Sequence, residues 1–245
     1  MKDHYSIRRW LEKGWQDFRA TQWVSMAFSG IFVLIGMGFI WTLSARGYAL
    51  LVYPFVTGFL VVAPVLLTGY QRAGRLLSSG QSPRFKDLAL GIGEATPGIW
   101  FLTFILCVCY MIWVTDALII YGLYFDFQLV TLDASMFDDA AARKSLLAYV
   151  GFSGAMGLFI ALLSFIVSVF SIPLIMHRKV NFVSAVHSSV VTSFRHFGLM
   201  LRWGLTIALL VVLTMVLALP LLVVVLPVVA YASYAAFVEL YPQAD

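Results

Sequence analysis

The stretch FLVVAPVLLTGYQRAGR, residues 59–75, places Pro64 inside an apolar run and closes it with Arg72 and Arg75. An apolar run that ends on cations reads as a membrane-crossing helix reaching the cytoplasmic surface. The proline asks for more. It removes one backbone N–H from a helix and crowds the carbonyl four residues earlier. In a bilayer, neighbouring helices or Ser and Thr hydroxyls re-satisfy that carbonyl. Pro173 and Pro227 stand in later apolar runs of the same kind. The recurrence points to a repeated unit, although prolines are also common in membrane helices generally.

Composition agrees with a membrane as solvent. The chain is 62% hydrophobic and 11% charged, against about 45–50% and about 25% for soluble domains. Six runs meet the length of roughly 20 apolar residues that a crossing helix needs. They are 24–44, 48–70, 98–124, 147–176, 198–218 and 221–240. The first two are joined by Ala45-Arg46-Gly47. The last two turn near Pro220, with one long kinked helix over 198–240 as the alternative. The segment before residue 24 is polar and aromatic, and the run after it is too long for a signal-peptide core.

Lys and Arg orient the chain. With the N-terminus inside, Lys2, Arg8, Arg9, Lys13 and Arg19 are cytoplasmic, as are Arg72, Arg75, Arg84 and Lys86. Arg178, Lys179, Arg195 and Arg202 join them. Only Arg46, Arg143 and Lys144 fall outside. The expected site is therefore a bacterial inner membrane, with both termini cytoplasmic and an outer loop at 125–146.

Three segments lead into the outgoing spans, and each reads as a helix lying at the inner surface. Residues 1–22 place Ile7, Leu11, Trp15 and Phe18 at helical spacing. Val183, Val186, Val190, Phe194 and Phe197 form the clearest stripe, with Ser184, His187, Ser188, Thr192 and Arg195 opposite. The middle segment, around Phe85-Lys86-Asp87-Leu88, is weakened by Gly91, Gly93 and Pro97. The expected fold is one all-α, polytopic membrane domain. It has six spans in three hairpin-like units, at 24–70, 98–176 and 180–240, with amphipathic interfacial helices.

WLEKGWQDFRA (10–20), GFLVVAPVLLTGYQRAGRLLSSGQSP (58–83) and SVFSIPLIMHRKVNFVSAVHSSV (168–190) resemble the bacterial integral-membrane family called domain of unknown function 2189. The resemblance runs from about residue 7 to 240, and its motifs are structural. It implies a multi-span inner-membrane protein. Some members carry the label of putative cytochrome c oxidase proteins.

The residues do not support oxidase catalysis. Membrane haem and copper need histidines at matched depth inside spans. His4, His177, His187 and His196 all lie outside mid-span positions. Interfacial solvation accounts for them, and no cofactor or metal is expected. Cys107 and Cys109 diverge by about 200° on a helix and read as packing residues. Asp116 is the one acid well inside an apolar run. An intramembrane carboxylate is a candidate proton or cation site. Counting from residue 98, it also falls about 27 Å along the span, near the outer interface, where water or Arg46 would satisfy it.

Asp133, Asp138 and Asp139 lack the alternation of a calcium loop. Ser135-Met136-Phe137-Asp138 instead reads as a capping box. Ser153 and Gly157 are spaced for close helix packing, within the chain or against another protein. No phosphate-cradling loop, zinc-protease motif or nucleophile elbow is present. The basic residues fit topology and anionic lipid, without nucleic acid.

Two functions remain. One is a non-catalytic accessory, assembly or scaffold component, with an oxidase link that comes only from the family label. It would have a membrane-protein partner or form a homo-oligomer. The other is a transporter or channel for a small or amphipathic solute, with Asp116 as its first candidate residue.

Overall fold

The computed structural model describes residues 6–48, 52, 67–128 and 139–242. Among them every regular element is helical. The order is α1 (Ile7–Ala20), α2 (Gln22–Ala45), α3 (67–78), α4 (Phe85–Gly93) and α5 (Pro97–Phe125). Then come α6 (Ala140–Ser168), α7 (Ser171–Arg178), α8 (Phe182–Arg195), α9 (Phe197–Ala218) and α10 (Leu222–Leu240). A 3-10 turn, Leu219–Leu221, joins the last two.

Four stretches are long and apolar enough to cross a membrane: Gln22–Ala45, Pro97–Phe125, Ala140–Arg178 and Phe197–Leu240. They leave large apolar side chains uncovered, among them Leu34, Trp41, Phe104, Leu123 and Val216. Exposed apolar surface on that scale needs lipid as its solvent. The expected span 48–70 lies almost wholly outside the described residues, and Pro64 with it. The expected span 147–176 is interrupted at Val169 and Phe170, between α6 and α7. Phe197–Leu240 is 44 residues long, about twice what one crossing requires. It is broken at Ala218, whose φ of −160° and ψ of 69° leave the helical region.

The contacts divide the chain into two units. One draws on Met1–Leu34, Ala63–Thr103 and Phe165–Asp245, and the other on Ile35–Val62 and Phe104–Ser164. The first holds all the short helices that the structure describes. Its core gathers Trp10, Phe170, Leu174, Met200, Trp203, Ala232 and Phe237 in one cluster. Phe18, Phe28, Tyr70, Leu88 and Tyr231 form a second.

In this unit α1 lies against α10, and the sequence explains how closely. A Cβ at Gly14 would stand 2.5 Å from the Val228 carbonyl and 2.9 Å from the Ala232 Cβ. Only glycine admits that approach. It also fixes which face of α1 is covered. Trp10, Gly14 and Phe18 are buried, with Ile7 and Leu11 packed beside them. Trp15, of the apolar stripe expected at the inner surface, is 47% exposed and packs against Phe18 at 5.5 Å. The small residue at 14 carries the contact line along Trp10 and Phe18, beside Ile7 and Leu11.

The clearest sequence stripe, on α8, is not the face that α8 buries in the protein. The buried residues of α8 are Ala185, Ser189 and Ser193. Val183 and Phe194 of the apolar stripe are 72% and 61% exposed. Small side chains let α8 approach its neighbours, while Val186 and Val190 of the stripe are half-buried. The middle segment forms α4 after all. The Arg84 N–H donates to Asp87 Oδ2 at 2.8 Å and anchors its first turn.

The second unit contains a smaller cluster of Tyr121, Leu146 and Tyr149. The capping box at 135–138 lies outside the described residues. The described start of α6 is capped by Asp139, whose Oδ1 accepts from the Ala141 N–H at 2.9 Å. That bond gives one of the outer-loop acids a structural role.

Candidate functional site

Two prolines can be followed to their backbone consequences. Pro227 stands inside α10, so the Val223 carbonyl loses its usual partner. The Ser29 hydroxyl of α2 lies 2.7 Å from that carbonyl. Its single hydrogen is shared with Ser25 O at 2.9 Å. Pro173 is the third residue of α7. N–H groups in a first turn have no intrahelical partner, so a proline there costs nothing. The chain breaks before it, and Ser189 of α8 serves both sides of the break. Its hydroxyl donates to Ile166 O at 2.8 Å and accepts from the Phe170 N–H at 3.2 Å.

A second polar knot joins α1, α2, α3 and α10. The hydroxyls of Thr21, Ser25 and Tyr231 form a triangle with edges of 2.8, 3.0 and 3.0 Å. The Tyr70 hydroxyl donates to Ser25 O at 3.1 Å. In the other unit, Ser153 donates to Tyr149 O at 2.7 Å, and the indole N–H of Trp113 donates to Ser153 O at 3.0 Å. A Cβ at Gly157 would meet the Trp113 ring at 2.6 Å. The small-residue face of α6 therefore receives Trp113 of α5, within the same chain.

Asp116, on α5, is half-buried. Neither Arg46 nor any other cation among the described residues pairs with it. Cys107 and Cys109 are both half-buried thiols. His4 lies outside the described residues. His177 was expected in interfacial water, but both its ring nitrogens are covered and lack a hydrogen-bond partner. The reason is aromatic packing: Tyr234 and Phe237 of α10 stand 5.6 and 6.0 Å from its ring. Among the described residues no three His, Cys, Asp or Glu side chains gather where they could hold a metal.

The first unit contains a cavity of about 600 Å³, within the usual range for ligand pockets. It lies where α3 and α7 end and where α5 and α8 begin. Arg75 and Lys179 supply two cations to its lining, and Glu94 supplies one carboxylate. Glu94 is already taken, because Arg72 Nη1 hydrogen-bonds it, while Arg72 Nη2 lies 3.9 Å from Asp87. Arg75 and Lys179 pair with no carboxylate among the described residues. The lining also includes apolar Ile175, Met176, Val180 and Phe182. Lys179 caps α7 with a φ of +51°, a conformation that glycine or asparagine adopts more easily. Arg75 and Lys179 enter the sequence reading only as charges that orient the chain. A cation in a position suited to glycine is a signal visible only once the helix end is known.

Residues 52–177 match the family described as "Predicted integral membrane protein (DUF2189)". That stretch is more than half of the 245-residue chain. The chain belongs to this family. No curated protein and no solved structure matches it. Within this DUF2189 protein the matched stretch takes in Arg75, Glu94, Ile175 and Met176. Lys179 and Phe182, which also line the cavity, lie beyond it.

Proposed function

We propose that this DUF2189 protein is a non-catalytic accessory, assembly or scaffold component of a bacterial inner membrane. It crosses six times in three hairpins, with both termini in the cytoplasm. The observation that carries the non-catalytic reading is where six of its buried hydroxyls go, although those of Ser164 and Ser193 have no partner among the described residues. Ser29, Ser189, Thr21, Ser25, Tyr231 and Ser153 are all engaged with backbone carbonyls or with one another. Such bonds hold helices together.

The hairpin reading draws support from the break at Ala218 and from the core. Trp203 before the break and Ala232 and Ala236 after it share one buried cluster. The orientation rests on the thirteen cations assigned inside against three outside. The oxidase association rests on the label some family members carry.

Purification in mild detergent from the native host tests the accessory role, with copurifying proteins identified and a visible spectrum recorded. Stoichiometric recovery with a haem-containing complex is the expected result. A colourless protein recovered alone contradicts the association.

A transporter or channel is the second reading, favoured by Asp116, a half-buried carboxylate without a described partner. If it is correct, Asp116→Asn abolishes solute or proton flux in liposomes. Unchanged flux in that variant removes Asp116 from any transport mechanism.

A further inference from the structure

We propose that the cavity between the ends of α3 and α7 and the starts of α5 and α8 binds an anionic phospholipid. Its phosphate would lie on Arg75 and Lys179, and its acyl chains would lie along Ile175, Met176 and Phe182. This goes beyond an accessory role and does not depend on one.

Three observations converge. First, the charge is uncompensated. Arg75 and Lys179 come from different helices, face the same cavity and pair with no described carboxylate, while the one acid in the lining is held by Arg72. Two unpaired cations lining one cavity favour an anion that can accept from both. Second, the cavity is lined by apolar as well as charged residues. An inorganic anion has no use for the apolar ones, whereas a phospholipid has an apolar part to place there. Third, the depth is right. Two stretches able to cross a membrane begin at Pro97 and end at Arg178, and both ends border the cavity. Crossing helices end at the headgroup layer, where phosphates and the first acyl carbons lie. Two N-terminal helix turns, at Thr96–Gly98 and Asn181–Phe182, also line the space and add favourable dipole ends.

The test uses the full-length protein in mild detergent and reads bound lipid by native mass spectrometry. Phosphatidylglycerol, phosphatidylcholine and inorganic phosphate are titrated separately. The wild type is expected to bind phosphatidylglycerol at least tenfold more tightly than phosphatidylcholine. Inorganic phosphate should neither reproduce nor displace it. The variant R75Q/K179G should lose the preference. Glycine suits the φ at residue 179, so that half of the change does not strain the fold. K86Q/R195Q removes the same charge from exposed positions outside the cavity and should keep the preference. Four results overturn the proposal: no preference in the wild type, preference retained in R75Q/K179G, equal loss in K86Q/R195Q, or displacement of the lipid by phosphate alone.

Discussion

At the scale of single residues, the structure turns on serines that answer interrupted helices: Ser29 the carbonyl freed by Pro227, Ser189 the break before Pro173. Ser29 lies 194 residues from the carbonyl it serves. Removing its hydroxyl leaves Val223 O without a donor in an apolar setting. Ser29→Ala is expected to cost about 1 kcal/mol, read as a lowered melting temperature in detergent. Ser189→Ala should cost more, because it strands both Ile166 O and the Phe170 N–H. If the Ser189 variant melts no lower than the wild type, water serves these groups instead. Pro227 was legible in the sequence, and so was the need for a hydroxyl near it. Which serine would answer was not, because no local pattern ties residue 29 to residue 223.

At the scale of elements, small residues decide what packs. Gly14 lets α1 settle on α10, and Gly157 receives Trp113. Gly14→Leu would overpack the α1 contact by about 1–3 kcal/mol. The expected outcome is faster tryptic cleavage at Lys13 and Arg19, with the rest of the chain intact. Unchanged cleavage would mean that α1 is held chiefly by Trp10, Arg9 and their shared partner Glu239. Gly157→Leu should displace the Trp113 indole and change tryptophan emission.

Hydropathy periodicity found α1 and α8 as amphipathic helices but did not show which face of each meets protein, and the physical cause is the same in both. A stripe of large apolar residues reports contact with something apolar. Beside a bilayer, that something can be lipid rather than protein. On α8 the protein-facing side is Ala185, Ser189 and Ser193, which a hydrophobicity pattern scores as the weak face.

At the scale of the whole molecule, composition alone was enough to require a membrane. The apolar runs also located α2, α5, α9 and α10 to within two residues. The cavity was not legible. Arg75, Glu94, Lys179 and Phe182 are scattered over more than 100 positions and meet only because four helix ends meet.

The central claim is that these helix ends share the cytoplasmic side. Single cysteines at Ser79, Ser184 and Asp139, with Cys107 and Cys109 replaced by serine, test it through an impermeant maleimide applied to intact spheroplasts. Labelling of 139 from outside, with 79 and 184 reached only after lysis, is the predicted result. Labelling of 79 or 184 in intact spheroplasts would contradict the account.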